Sequence, residues 1–149
     1  IFLIELKIFG IGINDANGSS TNRFSQQEYE DNYRELISWF KKANPDVNFI
    51  FLTNNDSYYR KQYPNQSVYK VVKAMKNLAK ENNGVVWDLF EIMGGIGSIK
   101  LWQKTGLAKA DKVHFTTLGY QLQSDLFFET FLNAYGEYIK RTTNKQSVD

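Results

Sequence analysis

Short apolar runs alternate along this chain with stretches whose apolar positions recur every three or four residues. The first run covers residues 2–13, is rich in Ile and Phe, and closes on Gly10-Ile11-Gly12-Ile13-Asn14-Asp15. A polar loop from Ala16 to Phe24 follows, with Asn17-Gly18 as a turn pair. Ser25 and Glu28 read as a capping box, in which the serine accepts from the first helical turn and the glutamate reaches back. Beyond it Tyr29, Tyr33, Leu36, Ile37 and Phe40 share one helical face, and Asn44-Pro45 stops the helix. The second run, Phe49-Ile50-Phe51-Leu52, is apolar on both parities, as a strand covered on both faces requires. It runs into Thr53-Asn54-Asn55-Asp56 and a loop with Tyr58, Tyr59, Tyr63 and Pro64.

Val68, Val71, Val72, Met75, Leu78 and Ala79 mark a second amphipathic helix, closed by Asn82-Asn83-Gly84. The third run is Val85 to Phe90, followed by a Gly-rich loop over 93–98. A last helix begins near Thr116 and is expected to bury Leu118, Leu122, Phe127, Phe131 and Tyr135. From Arg141 to Asp149 a polar, frayed tail is expected. Strand–helix alternation of this kind predicts an α/β domain over residues 1–140, a parallel sheet with helices packed on both faces and right-handed crossovers. Ligands of such sheets bind beyond the carboxyl ends of the strands. Here those ends carry Asn14-Asp15, Thr53 to Asp56, and the loop after Phe90.

Composition narrows the chemistry. The 149 residues include no Cys, which excludes thiolate metal sites and cysteine nucleophiles, and a single His, which excludes a histidine-rich metal centre. Eighteen Lys and Arg against 16 Asp and Glu leave a net charge of +2, too small to call for a polyanionic partner. Lys70, Lys73, Lys76 and Lys80 form a stripe best read as a solvated helix face, so no nucleic-acid partner is expected. The segment 94–98 lacks the Gly-Lys-Ser/Thr of a phosphate loop, and the acidic residues show no calcium-loop spacing. No metal or organic cofactor is expected. The opening Ile1–Ile4 run is broken by Glu5 and Lys7, far short of the ~20 apolar residues of a membrane span.

Two constellations carry candidate chemistry. In Asp111-Lys112-Val113-His114 a carboxylate three residues before an imidazole can bond Nδ1–H across one tight turn, leaving Nε2 to take a proton from a nucleophile. The bland alternative is one solvated histidine in a surface loop. In Gly12-Ile13-Asn14-Asp15 the glycine allows a sharp turn, and Asn14 offers an amide donor to a developing oxyanion. Here the alternative is an ordinary Asn-Asp turn. Asn55 and Trp102 are candidate substrate contacts, and Tyr58, Tyr59 and Tyr63 are aromatics that suit a sugar site or simple packing equally.

Gly12-x-Asn14-Asp15 followed by Asp111-x-x-His114 resembles blocks III and V of the SGNH, or GDSL-type, hydrolases. Thr116, Gly119 and Tyr120 match the usual continuation. Trp87-Asp88, Met93-Gly94-Gly95, Gly97-Ser98, Trp102 and Gly106-Leu107-Ala108 are similar to a subgroup of bacterial carbohydrate or peptidoglycan O-acetyl esterases, and the likeness covers residues 5–135. The resemblance implies a three-layer α/β/α, flavodoxin-like domain. It also implies a Ser-His-Asp esterase acting on a glycan ester, with His114 as base, Asp111 as its partner and Asn14 as oxyanion donor.

The family's nucleophile belongs to a Gly-Asp-Ser block that precedes Gly-x-Asn-Asp, and no Gly-Asp-Ser occurs here. Ser19, Ser20, Ser57 and Ser98 are the local serines weighed in its place; none follows a strand in the required turn, and Ser98 comes nearest. The chain, which opens inside an apolar run without Met, is therefore expected to be the C-terminal three-strand portion of a hydrolase. The missing N-terminal segment, or another chain, would pair with its exposed sheet edge. A periplasmic or extracellular location follows from the glycan substrate. The rival expectation is a non-catalytic carbohydrate-binding or scaffold domain derived from the same fold.

Overall fold

The computed structural model describes residues 5–17 and 24–146. Residues 2–4 of the first run, the polar-loop segment with Ser19 and Ser20, and the tail 147–149 lie outside them. The elements are β1 (Leu6–Phe9), α1 (Ile13–Ala16), α2 (Gln26–Ala43), β2 (Asn48–Leu52), β3 (Tyr58–Tyr59) and β4 (Tyr63–Pro64). They continue with α3 (Ser67–Glu81), β5 (Val85–Trp87), α4 (Leu89–Met93), α5 (Ile99–Lys104) and α6 (Thr117–Gln146). Strands β1, β2 and β5 form a parallel sheet in that order, with Phe9 opposite Phe51 and Phe51 opposite Val86. The three expected strands are thus present and parallel.

Alternation along β2 distributes its side chains to two cores. Phe49 and Phe51 face α2 and α3, where Phe9, Tyr33, Ile37, Val71, Met75 and Leu78 complete the first core. Ile50 faces the other way, joining Trp87, Ile99, Trp102 and Phe115, with Leu122 and Phe127 of α6 packed against them. The result is a three-layer α/β/α arrangement. Helix α2 starts where Ser25 caps the Glu28 N–H at 3.2 Å and stops before Asn44-Pro45. Arg34 ties α2 to α3 through a two-point bond to Glu81, while also bonding Glu30 and Asp31.

Several expectations need correction. The third run is a strand only as far as Trp87; Leu89 and Phe90 already belong to α4, the Gly-rich loop runs from there into α5, and a two-residue antiparallel ladder joins β3 to β4. The expected tail is helical from Arg141 as far as Gln146. Leu118, Phe131 and Tyr135 are exposed, although Leu122 and Phe127 pack as expected. Phe131 and Tyr135 instead line an open cleft between α6 and the sheet, with Ile50, Val85, Val86 and Trp87 on its other side. No helix among the described residues is long and apolar enough to cross a membrane.

The central position of β2 makes its side chains the most sensitive in the core. Phe51 is fully buried. Phe51→Ala should lower the unfolding free energy in urea by about 3–5 kcal/mol, through lost transfer energy and a residual cavity. Tyr135→Ala, at the exposed rim of that cleft, should change it by no more than about 0.5 kcal/mol. Equal losses at both sites would contradict this packing.

Candidate active site

All three parallel strands point their carboxyl ends at one edge, and the polar segment after β2 organises that edge. Thr53, Asn54, Asp56 and Ser57 are buried, and the side chains of Thr53, Asp56 and Ser57 bond to the neighbouring loops. The Thr53 hydroxyl donates to Asp88 at 2.9 Å and accepts from the Phe90 N–H, fixing the start of α4. Asp56 accepts from the Ile99 N–H at 3.0 Å, and its burial pushes the carboxyl above the ordinary range despite neighbouring backbone N–H groups. Ser57 joins Asn17 and Asn65 in a network, in which the Asn65 amide also donates to the Ala16 carbonyl at 2.9 Å.

That network holds the turn containing Asn14. Tyr29 and Tyr33 hold it from the other side, both donating to the Ile11 carbonyl at 2.7 and 2.8 Å. Gly12 has φ +135° and lies against the Tyr29 ring, so both backbone conformation and space require glycine. Asn14 sits in the single turn of α1, exposed, with its amide bonded to no described residue. It is thus available to a ligand at the carboxyl end of β1.

The second loop turns back on itself. The Lys109 N–H donates to the His114 carbonyl, and Lys112 adopts φ +56° at the corner. One oxygen of Asp111 accepts from the Val113 and His114 N–H groups, both at 2.9 Å. Its other oxygen lies 2.9 Å from His114 Nδ1. The expected pair is therefore formed, and the imidazole projects to solvent with Nε2 bonded to no described residue. Partial burial works to raise the Asp111 pKa, but the two N–H groups and the imidazole outweigh it and hold the carboxyl at about 2.

The family-like continuation has a mechanical reason. Thr116 caps α6 by accepting from the Gly119 N–H at 3.2 Å while donating to the Gly106 carbonyl at 2.7 Å. A Cβ on Gly119 would fall 2.9 Å from the Leu107 carbonyl carbon, so only glycine lets α6 begin there. Trp102 does not reach the edge as a sugar platform. It is buried and stacked on Phe115, ring centroids 4.8 Å apart. The Asn55 amide nitrogen donates to the Asp56 and Val113 carbonyls at 2.8 and 2.9 Å, so both its donors are engaged within the fold. Ser57 is enclosed in the polar network, and the buried Ser98 hydroxyl bonds to no described residue, His114 included.

The low Asp111 pKa gives a pH test. The unfolded carboxyl titrates near ~3.9, so between about pH 4 and 2 the unfolded chain binds the extra proton. The stabilisation it supplies is complete above that window and is lost as pH falls through it. Urea unfolding at a series of acidic pH values should show Asp111→Asn with a shallower slope in this window than the parent chain. Identical slopes would contradict the carboxylate's hydrogen bonding.

The fold has relatives among solved structures. A peptidoglycan O-acetylesterase structure, captured in action at 5 min, superposes with a TM-score of 0.78 at 20% identity, covering 87% of this chain and 37% of its own. The lipase/acylhydrolase from Enterococcus faecalis gives 0.59 at 21% identity, over 84% of this chain and 58% of its own. The chain thus spans less than two thirds of either relative. No individual curated protein matches the sequence. The model of the GDSL-like lipase/acylhydrolase family matches residues 5–122, from the start of β1 through the Asp111–His114 loop into α6, and the chain belongs to that family.

Proposed function

We propose that this chain supplies the acid–base half of a serine ester-hydrolase site. The observation that carries the reading is the 2.9 Å contact between Asp111 and His114 Nδ1, with Nε2 turned to solvent at the carboxyl edge of the sheet. An imidazole held at Nδ1 by a carboxylate is fixed in the tautomer that leaves Nε2 basic. In the proposed reaction a serine hydroxyl attacks the acyl carbonyl while Nε2 takes its proton. Asp111 stabilises the imidazolium that results. Asn14 donates its amide to the oxyanion of the tetrahedral intermediate. Collapse expels the alcohol, which receives the proton from Nε2, and water repeats the sequence on the acyl-serine.

The serine is proposed to come from outside residues 1–149. No Gly-Asp-Ser occurs in the sequence, Ser57 is enclosed, and the chain matches only part of either structural relative. Strand β1 is an edge of the sheet, with Leu6 and Ile8 exposed, and an upstream segment or another chain pairing there would bring further elements to the same rim. The proposed substrate is an acetylated glycan, by likeness to the peptidoglycan O-acetylesterase, and the corresponding location is periplasmic or extracellular.

Residues 1–149 alone should give no turnover of p-nitrophenyl acetate, and restoring the upstream segment should give it. In that longer protein His114→Ala should lower kcat at least ~10³-fold. Asn14→Ala should lower it about 10²-fold with little change in KM. Turnover by the 149-residue chain that disappears in Ser98→Ala would place the nucleophile at Ser98 and overturn the proposal.

A further inference from the structure

The peptide unit that carries His114 is gripped at both ends. Its N–H donates to Asp111 at 2.9 Å, and its carbonyl, that of Val113, accepts from the Asn55 amide at 2.9 Å. Peptide planarity means that two such bonds fix the plane, and with it the direction from which the histidine side chain departs. The second amide proton of Asn55 goes to the carbonyl of Asp56 at 2.8 Å, so the side chain is itself braced against its own backbone. Two further bonds link the same stretches: Tyr58 N–H to the Lys112 carbonyl at 2.9 Å, and Lys112 Nζ to the Lys61 carbonyl at 2.9 Å.

The loop needs such support. Lys112 has φ +56°, a left-handed conformation that is strained for a non-glycine residue and persists where its surroundings enforce it. His114 and Asp111 are both substantially exposed, at 50% and 36% of side-chain area, so packing alone does not immobilise their ring and carboxylate. The loop is instead held by hydrogen bonds to the segment after β2. Of that segment's side chains, Asn55 provides the bond nearest the imidazole.

We propose that Asn55 is a positioning residue for His114: through the Val113 carbonyl its amide sets the geometry in which Asp111 meets Nδ1 and Nε2 faces the nucleophile. The consequence for turnover rests on the hydrolase reading above; the consequence for the imidazole does not. Replacing the amide by leucine removes both donors at similar volume. Replacing it by aspartate keeps the shape but turns an acceptor toward the Val113 carbonyl. Serine retains one short donor, too short to span the same gap without help from water.

The single histidine makes the test direct, since every imidazole signal in the spectrum belongs to His114. In the 149-residue chain at alkaline pH, nitrogen-15 ring shifts should report the Nδ1–H tautomer. Asn55→Leu and Asn55→Asp should shift the ring toward an averaged tautomer, while the indole N–H signal of Trp87 in the second core stays native. Asn55→Ser should fall between. Should leucine unfold the chain, the aspartate and serine variants carry the comparison. An unchanged Nδ1–H signature in a folded Asn55→Asp chain would overturn the proposal whatever the enzyme does.

In the longer protein the same variants should lower kcat ~10- to 100-fold, as misplacement of a reacting group does, with KM within about twofold. A raised KM at unchanged kcat would make Asn55 a substrate contact and overturn the positioning role. Loss of the tautomer signature in a protein that hydrolyses no ester would uphold the positioning role and count only against the hydrolase reading.

Discussion

Buried polar groups must find partners, and in this fold that constraint falls on five residues after the central strand. Thr53, Asn54, Asp56 and Ser57 are withdrawn from water and Asn55 is half withdrawn. Leaving one such group unpaired costs about 1–3 kcal/mol. The segment meets most of this demand by bonding to the elements around it: Thr53 to the start of α4, Asn55 to the histidine loop, Asp56 to the start of α5, and Ser57 to Asn17 and Asn65, while Asn54 Nδ2 and Asp56 Oδ1 bond to no described residue. A requirement of solvation thereby becomes a device of assembly. Loops far apart in sequence are moored to one short stretch at the carboxyl edge of the sheet, which is where the proposed chemistry lies.

The Asp111–His114 turn shows the same economy on a smaller scale. One carboxylate satisfies two backbone N–H groups with one oxygen and orients an imidazole with the other. The three-residue spacing matters because it allows one side chain to do both across a single turn. The bonded N–H groups and imidazole also keep Asp111 ionised through the neutral range, as a partner for an imidazolium must be. Gly12 and Gly119 serve this edge differently. Each removes a Cβ where another group, the Tyr29 ring or the Leu107 carbonyl, must come close.

Much of this was legible in the sequence, for reasons specific to each element. The Ser25 cap and the Asn44-Pro45 stop are local, and both ends of α2 fall where they indicate. Apolar residues on both parities identified the central strand, because only burial on two faces demands them. The acid–histidine contact was readable because its spacing leaves little geometric freedom. Helices α4 and α5 were missed because five or six residues show no periodicity, although Asp88 does cap the Glu91 N–H and Gly94 takes a left-handed conformation at the helix end. Those two residues were the available signal. The burial expected of Leu118, Phe131 and Tyr135 failed because periodicity reports an apolar face without reporting what lies opposite it. Asn55 and Trp102 were read as substrate contacts from residue type. Their partners, Val113 and Phe115, are long-range neighbours that the fold alone supplies.

The central claim is that His114 activates a serine lying outside these 149 residues. A serine-directed fluorophosphonate provides the most direct measurement, applied to the longer protein and followed by peptide mapping of the adduct. The label should fall on one serine upstream of Ile1, in a Gly-Asp-Ser context, and labelling should be lost in His114→Ala. An adduct on Ser98 or any other serine within residues 1–149, or labelling that proceeds unchanged without His114, would contradict it.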